Sequence, residues 1–205
     1  MFEDNTAGIG SQIFVNDGAT LDFSNSTVHL KNVTSKSRGI EVSSGNLVAH
    51  HTTFSKVEAS SQANMVEGNA ILVNDGDNSA NIYNNTFLDC YIDKYQSYAV
   101  TFNGSELNFE NNVFDFKEKT GCGCLRIYCF GNVKVLSNTF KNVVTQKPFS
   151  GAFYYEETVR RTTKNDVGVT IRFNTFEHCS SANIACFSFK WISQDYQFFD
   201  NIFQN

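Results

Sequence analysis

The chain has 205 residues, enough for one domain with a sizeable core and cramped for two. Twenty Phe, 24 Asn and 35 Ser plus Thr stand against one proline and 18% charged residues, a profile that favours strands and turns over helices. The net charge is −5 with the basic residues scattered, and no apolar run approaches 18 residues, so neither a nucleic-acid footprint nor a membrane-spanning helix is written into it.

In chain order, the first predicted element is an apolar pair, Leu21 and Phe23, leading through Ser26 to Val28. An apolar stretch "GIEV" follows at 39–42, then Leu47, Ala49, Thr52 and Phe54 repeat the first pattern. "NAILV" at 69–73 precedes Ala80, Ile82, Asn85 and Phe87, and "YAVTF" at 98–102 precedes Leu107, Phe109, Asn112 and Phe114. "CLRIY" at 124–128 leads to Val133, Val135, Asn138 and Phe140, and "GAFYY" at 151–155 leads to Val169, Ile171, Asn174 and Phe176. The chain closes on Tyr196, Phe198, Asn201 and Phe203.

Taking Val28 and the six phenylalanines as anchors, the spacings are 26, 33, 27, 26, 36 and 27 residues, a basal period of 26 or 27 with two insertions. Apolar residues at −7 and −5, Asn at −2 and Phe at 0 make a period-two alternation carried through a tight bend, with β-branched residues at −1 on the opposite face. With the additional apolar stretch, each unit holds three short strands, which is the arithmetic of a coil going once round a prism. The predicted fold is all-β: a right-handed, single-stranded parallel β-helix of about seven coils and three parallel sheets, roughly 30 to 35 Å tall at ~4.8 Å per coil. Residues 1–205 form one such domain, expected to be a fragment of a longer protein. Asn85, Asn112, Asn138, Asn174 and Asn201 are predicted to be an internal ladder, each amide donating to and accepting from its neighbours. The asparagines are also expected to take the left-handed conformation of the bend. The phenylalanines stack inside, each burial worth roughly 2 to 3 kcal/mol.

The repeated "IxxNTF" phrase resembles the repeats of right-handed parallel β-helix proteins. Phe109–Asn112 and Phe198–Asn201 spell F-x-x-N, and "GNAI", "GCGCL", "SGAF" and "SYAV" look like degraded copies of G-G-A-[ILV]. That combination is similar to the passenger repeats of chlamydial polymorphic outer membrane proteins and of large trichomonad surface proteins. The resemblance implies an adhesive or scaffold segment of a cell-surface or extracellular protein, without cofactor, working beside flanking coils of the same chain. It further implies a host-cell glycan or protein as partner, and membrane attachment only through parts outside this segment.

The same fold hosts pectate lyases, polygalacturonases and alginate epimerases, so a carbohydrate-active enzyme with a degenerate or missing catalytic coil is the alternative. Such chemistry needs acids on neighbouring coils. The outward positions predicted for the third-strand sheet are Phe14, Glu41, Leu72, Thr101, Arg126, Tyr154 and Ser188, and they hold one acid. Asp75 and Asp77 read as a turn, and His178 shares a polar column with Asp89 and Asn142. His50 and His51, if on a strand, point to opposite faces and so do not share a metal. The six cysteines lack metal-ligand spacing, Cys90 and Cys179 fall three coils apart, and the reading is packing rather than zinc or a disulfide. Sequons at Asn25, Asn32, Asn84 and Asn103 match the ~4 that composition gives by chance, so they permit secretion without showing it. The candidate binding residues are Tyr154, Tyr155, Arg160, Arg161 and Lys164, where the charged insertion at 156–166 follows two tyrosines: arginine forks onto oxygen while tyrosine stacks below.

Overall fold

The computed structural model describes the chain except residues 1, 4–9, 30–36, 57, 60–68, 75, 93–97, 118–121, 146–150, 158–167, 182–185 and 191–195. Among the described residues every element is a strand, and every strand pairing is parallel. The anchor strands stack as an eight-stranded sheet: Phe2–Glu3, Thr27–His29, Thr53–Ser55, Thr86–Leu88, Val113–Asp115, Thr139–Lys141, Thr175–Glu177 and Ile202–Gln204. The result is a parallel β-helix. Its anchor column holds eight rungs rather than seven, because Phe2 pairs with Val28 beneath the first recognisable unit.

The column assignments read from the period hold residue for residue. Leu21, Leu47, Ala80, Leu107, Val133, Val169 and Tyr196 are successive partners, as are Phe23, Ala49, Ile82, Phe109, Val135, Ile171 and Phe198. Two of the three expected sheets are one. Tyr98–Glu110 and Gly123–Leu136 run unbroken from the third-strand face into the face preceding the asparagine bend, and they weld both into a 12-stranded sheet. Where that long strand turns, the register shifts between Gly104 and Glu106, and a Cβ on Gly131 would meet the Ser105 carbonyl oxygen at 1.6 Å. Only glycine lets successive backbones approach so closely.

Inside, Phe54, Phe87, Phe114, Phe140, Phe176 and Phe203 form one continuous stack, with ring centroids 4.5 to 5.2 Å apart and planes within 10° of parallel. Beside it runs the asparagine ladder. The Asn138 side-chain oxygen accepts the backbone N–H of Asn112 at 2.9 Å and its Nδ2–H at 3.1 Å. The Asn138 Nδ2 in turn donates to the Asn174 side-chain oxygen at 3.0 Å and to the Phe109 carbonyl at 2.9 Å. Asn85, Asn112 and Asn174 repeat this pattern, Asn201 closes one end by accepting from Asn174, and Thr52 closes the other by donating its backbone N–H to Asn85 Oδ1 at 3.0 Å.

The ladder residue is not the one that bends. The positive φ angles fall one position earlier, at Asn25, His51, Asn84, Asn111, Ser137, Phe173 and Asp200, all between 50° and 58°. The two tasks are split: the residue before takes the left-handed turn, and that turn aims the following asparagine inward where its amide has partners. The first position asks only for a residue that can take this φ, so that column varies and even admits Phe173. Ser137, at φ 57°, carries the cost of an L-residue in this region, roughly 1 to 2 kcal/mol. Ser137→Gly removes it against a glycine entropy cost of roughly 0.5 to 1 kcal/mol. A net gain of about 0.5 kcal/mol in urea unfolding is expected; a clear loss would mean that the serine side chain, not the bend, matters here.

A second left-handed corner follows four of the anchors by two residues, at Lys56, Asp89, Asn142 and His178 (φ 47° to 55°), while Phe116, two residues after Phe114, does not take it. This is the polar column that His178 was expected to share. In two of these coils the next position is a cysteine that repeats the ladder logic with sulfur. Cys179 Sγ donates to the Phe140 carbonyl at 3.3 Å and the Glu177 carbonyl at 3.5 Å, and Cys90 does the same with Phe54 and Leu88 at 4.0 and 3.9 Å. The recurrence of "IYNNTFLDC" as "IRFNTFEHC" thus records two corners per coil.

Candidate functional site

The predicted outward column of the third-strand face is in register: Phe14, Glu41, Leu72, Thr101, Arg126, Tyr154 and Ser188 are successive partners. It is not uniformly open. Phe14 is 58% exposed, but Leu72, Thr101 and Tyr154 are buried, so solvent reaches this face only at selected rungs. Two residues along each strand lies a parallel outward column, Asn103, Tyr128, Glu156 and Lys190.

Those columns meet in one cluster. The Arg126 guanidinium lies over three tyrosine rings, 4.3 Å from Tyr128, 5.4 Å from Tyr154 and 5.7 Å from Tyr98. Gly123 makes room for the Tyr98 ring, since a Cβ there would meet two of its ring carbons at 2.5 Å. The Tyr154 hydroxyl donates to Glu156 Oε2 at 2.8 Å, and Lys190 Nζ donates to Glu156 Oε1 at 2.8 Å. Burial and then the bond to Glu156 push the Tyr154 phenol up to about 12, and burial pushes Tyr98 higher still, so both stay neutral donors. Burial would raise the Glu156 carboxyl, but the Lys190 and Tyr154 hydrogen bonds outweigh it and hold it below its ordinary value. One rung away, the buried Thr101 hydroxyl has no hydrogen-bond partner among the described residues.

This arrangement offers a fixed guanidinium on an aromatic floor, with a carboxylate and an exposed ammonium at its rim. Such a set suits an anionic or hydroxyl-rich ligand, since arginine forks onto oxygen and ring faces take sugar C–H edges.

Of the residues expected to bind, Tyr154 belongs to this cluster. Tyr155 does not: it points into the core, 1% exposed, with its ring 5.9 Å from Phe189. Strand parity explains the difference, because neighbours on a strand face opposite ways. Arg160, Arg161 and Lys164 lie outside the described residues, as do Asp75 and Asn32. Sequence reasoning passed over Tyr128 and Lys190 and assigned Glu156 to the charged insertion, whereas it lies in the strand Phe153–Glu157. Their signal was available in the i+2 parity that places them beside Arg126 and Tyr154.

Two outward carboxylate groups elsewhere are neutralised by cations. Glu41 accepts from Arg38 at 2.9 Å. On the anchor sheet Asp115, Lys141 and Glu177 are consecutive partners, and the lysine stands between the acids, 2.8 Å from Glu177. Its hydrogen bond lowers the Glu177 pKa and raises its own. Cys122, Cys124 and Cys129 are buried, and burial, then the thiols of Cys179, Cys122 and Cys90, push the Cys124 thiol well above its ordinary value. Among the described residues no group of three or more His, Cys, Asp or Glu is placed to hold a metal ion, and no helix is long and apolar enough to cross a membrane.

Comparison with family models, curated proteins and solved structures found no match to this chain.

Proposed function

We propose that this chain is a non-catalytic β-helical segment of a surface or secreted protein, serving adhesion or scaffolding and presenting the Arg126 cluster to an acidic glycan or an acidic protein patch. The observation that carries the reading is the guanidinium seated over Tyr98, Tyr128 and Tyr154 with Lys190 at the rim. A rigid stack holds these groups, so little ordering entropy is lost on binding. Supporting it from the sequence is the likeness of the F-x-x-N and degraded G-G-A repeats to polymorphic outer membrane protein passengers. The insertion carrying Arg160, Arg161 and Lys164 follows Glu157 directly in sequence. Flanking coils of a longer chain would continue the stack.

The test is binding of the purified chain to immobilised uronic-acid and sialylated glycans and to host cells. Arg126→Ala and Lys190→Ala are each expected to weaken binding at least tenfold. Lys190 is half exposed, and its removal is expected to change stability by no more than about 0.5 kcal/mol, which keeps the binding readout clean. Equal binding by both variants would overturn the assignment of this face. Release of reducing or unsaturated sugar above a boiled control would instead favour the carbohydrate-active alternative.

A further inference from the structure

His50 and His51 do not point apart. His50 ends the strand Gly45–His50, but His51 takes the left-handed corner at φ 50°, and that reversal swings its ring back toward its neighbour. The two Nδ1 atoms lie 2.8 Å apart. On the far side of His50, Nε2 faces Asp22 Oδ1 at 3.3 Å, and on the far side of His51, Nε2 faces the Asn84 amide nitrogen at 3.4 Å. The tautomers follow from the ends inward. A carboxylate only accepts, so His50 carries its proton on Nε2 and its Nδ1 lone pair is available; His51 therefore donates from Nδ1 and accepts at Nε2. Tyr83 stacks on the His50 ring at 4.9 Å with planes 1° apart, fixing its orientation.

We propose that His50 and His51 form a two-imidazole site for a late first-row divalent cation, Cu2+ above all, with water completing the coordination. Three observations converge. Two metal–nitrogen bonds of ~2.0 Å at a right angle place their nitrogens ~2.8 Å apart, the square geometry that copper prefers and a closer bite than tetrahedral zinc sets. Asp22 on the outer nitrogen of His50 is the carboxylate–imidazole arrangement that fixes a ligand's tautomer and ring orientation. The third is access: His51 and Asp22 are exposed, at the edge of a rigid stack. Binding replaces the proton shared between the rings. That proton moves to His51 Nε2, where Asn84 accepts it through Oδ1 after its amide turns over, so no net proton is released and no oxidation occurs.

The experiment is Cu2+ titration of the whole chain by calorimetry, with electron paramagnetic resonance on the loaded protein. One Cu2+ per chain with micromolar affinity is expected, with splitting from two imidazole nitrogens. His51→Asn keeps a residue that tolerates the corner, as Asn84 and Asn111 do, and His50→Phe keeps a ring on Tyr83. Each should weaken binding at least tenfold, and Asp22→Asn severalfold. His178→Ala and the double substitution Cys179→Ser with Cys186→Ser should leave it unchanged. Copper held equally by His51→Asn, a spectrum without two-nitrogen splitting, or loss of binding in the cysteine double variant would each overturn the site.

Discussion

Replacing Asn138 with leucine is expected to lower the stability of the chain by about 3 to 5 kcal/mol. Leucine matches the shape of the side chain, so the loss falls on hydrogen bonds rather than volume. The backbone N–H and Nδ2–H of Asn112 lose their shared acceptor, and the carbonyl of Phe109 and the side-chain oxygen of Asn174 lose a donor. All four groups are buried, and a buried group left without a partner costs ~1 to 3 kcal/mol. The sum is tempered because Asn174 Oδ1 keeps the Asn138 backbone N–H at 2.9 Å. Urea unfolding measures it, and hydrogen exchange should show the loss concentrated at the rungs of Asn112 and Asn138. A change under about 0.5 kcal/mol would mean that the ladder bonds do not hold the coils together.

Phe114→Ala is expected to cost about 4 kcal/mol by a different route. Its ring is fully buried between Phe87 at 4.5 Å and Phe140 at 5.2 Å, with Phe116 edge-on at 6.2 Å. Truncation opens a cavity that the rungs above and below cannot close, since their strand pairing fixes the spacing. Phe14→Ala, on the outer face at 58% exposure, is the control and should change stability by no more than about 0.5 kcal/mol. Equal effects at both positions would contradict the assignment of inside and outside. Because a solenoid couples mainly to its neighbours, the unfolding slope must be compared along with the midpoint before either number is read as a two-state free energy.

The sequence made the columns legible because a stack repeats the same environment at every rung: a phenylalanine above a phenylalanine, an asparagine above an asparagine. What it concealed lies where the repeat does not constrain the chain. The merging of two sheets depends on how Tyr98–Glu110 and Gly123–Leu136 round a corner without breaking, and no residue column announces that. The bend lies one residue before the expected asparagine, and it was hidden because a left-handed φ is taken there by Asn, His, Ser, Asp and even Phe173, so no single residue type marks it. His50 and His51 were misplaced for the same reason, an alternation rule applied across a corner. The Arg126 cluster was half visible. Arg126 and Tyr154 sat in the predicted outward column, while Tyr128, Glu156 and Lys190 acquire their meaning only when the adjacent column is laid beside it. Tyr155 was counted with Tyr154 by adjacency, although strand parity sends it inward.

The measurement that bears most directly on the stacked-coil account is nuclear magnetic resonance detection of couplings across hydrogen bonds, from backbone 15N to side-chain 13Cγ. The account predicts cross-peaks joining Asn85 N to Asn112 Cγ, Asn112 N to Asn138 Cγ, Asn138 N to Asn174 Cγ and Asn174 N to Asn201 Cγ, each linking residues 26 to 36 apart in sequence. If these asparagine amides couple instead to carbonyls of their own coil, or show no coupling while ordinary strand pairs in the same spectrum do, the ladder and the coil stacking built on it are contradicted.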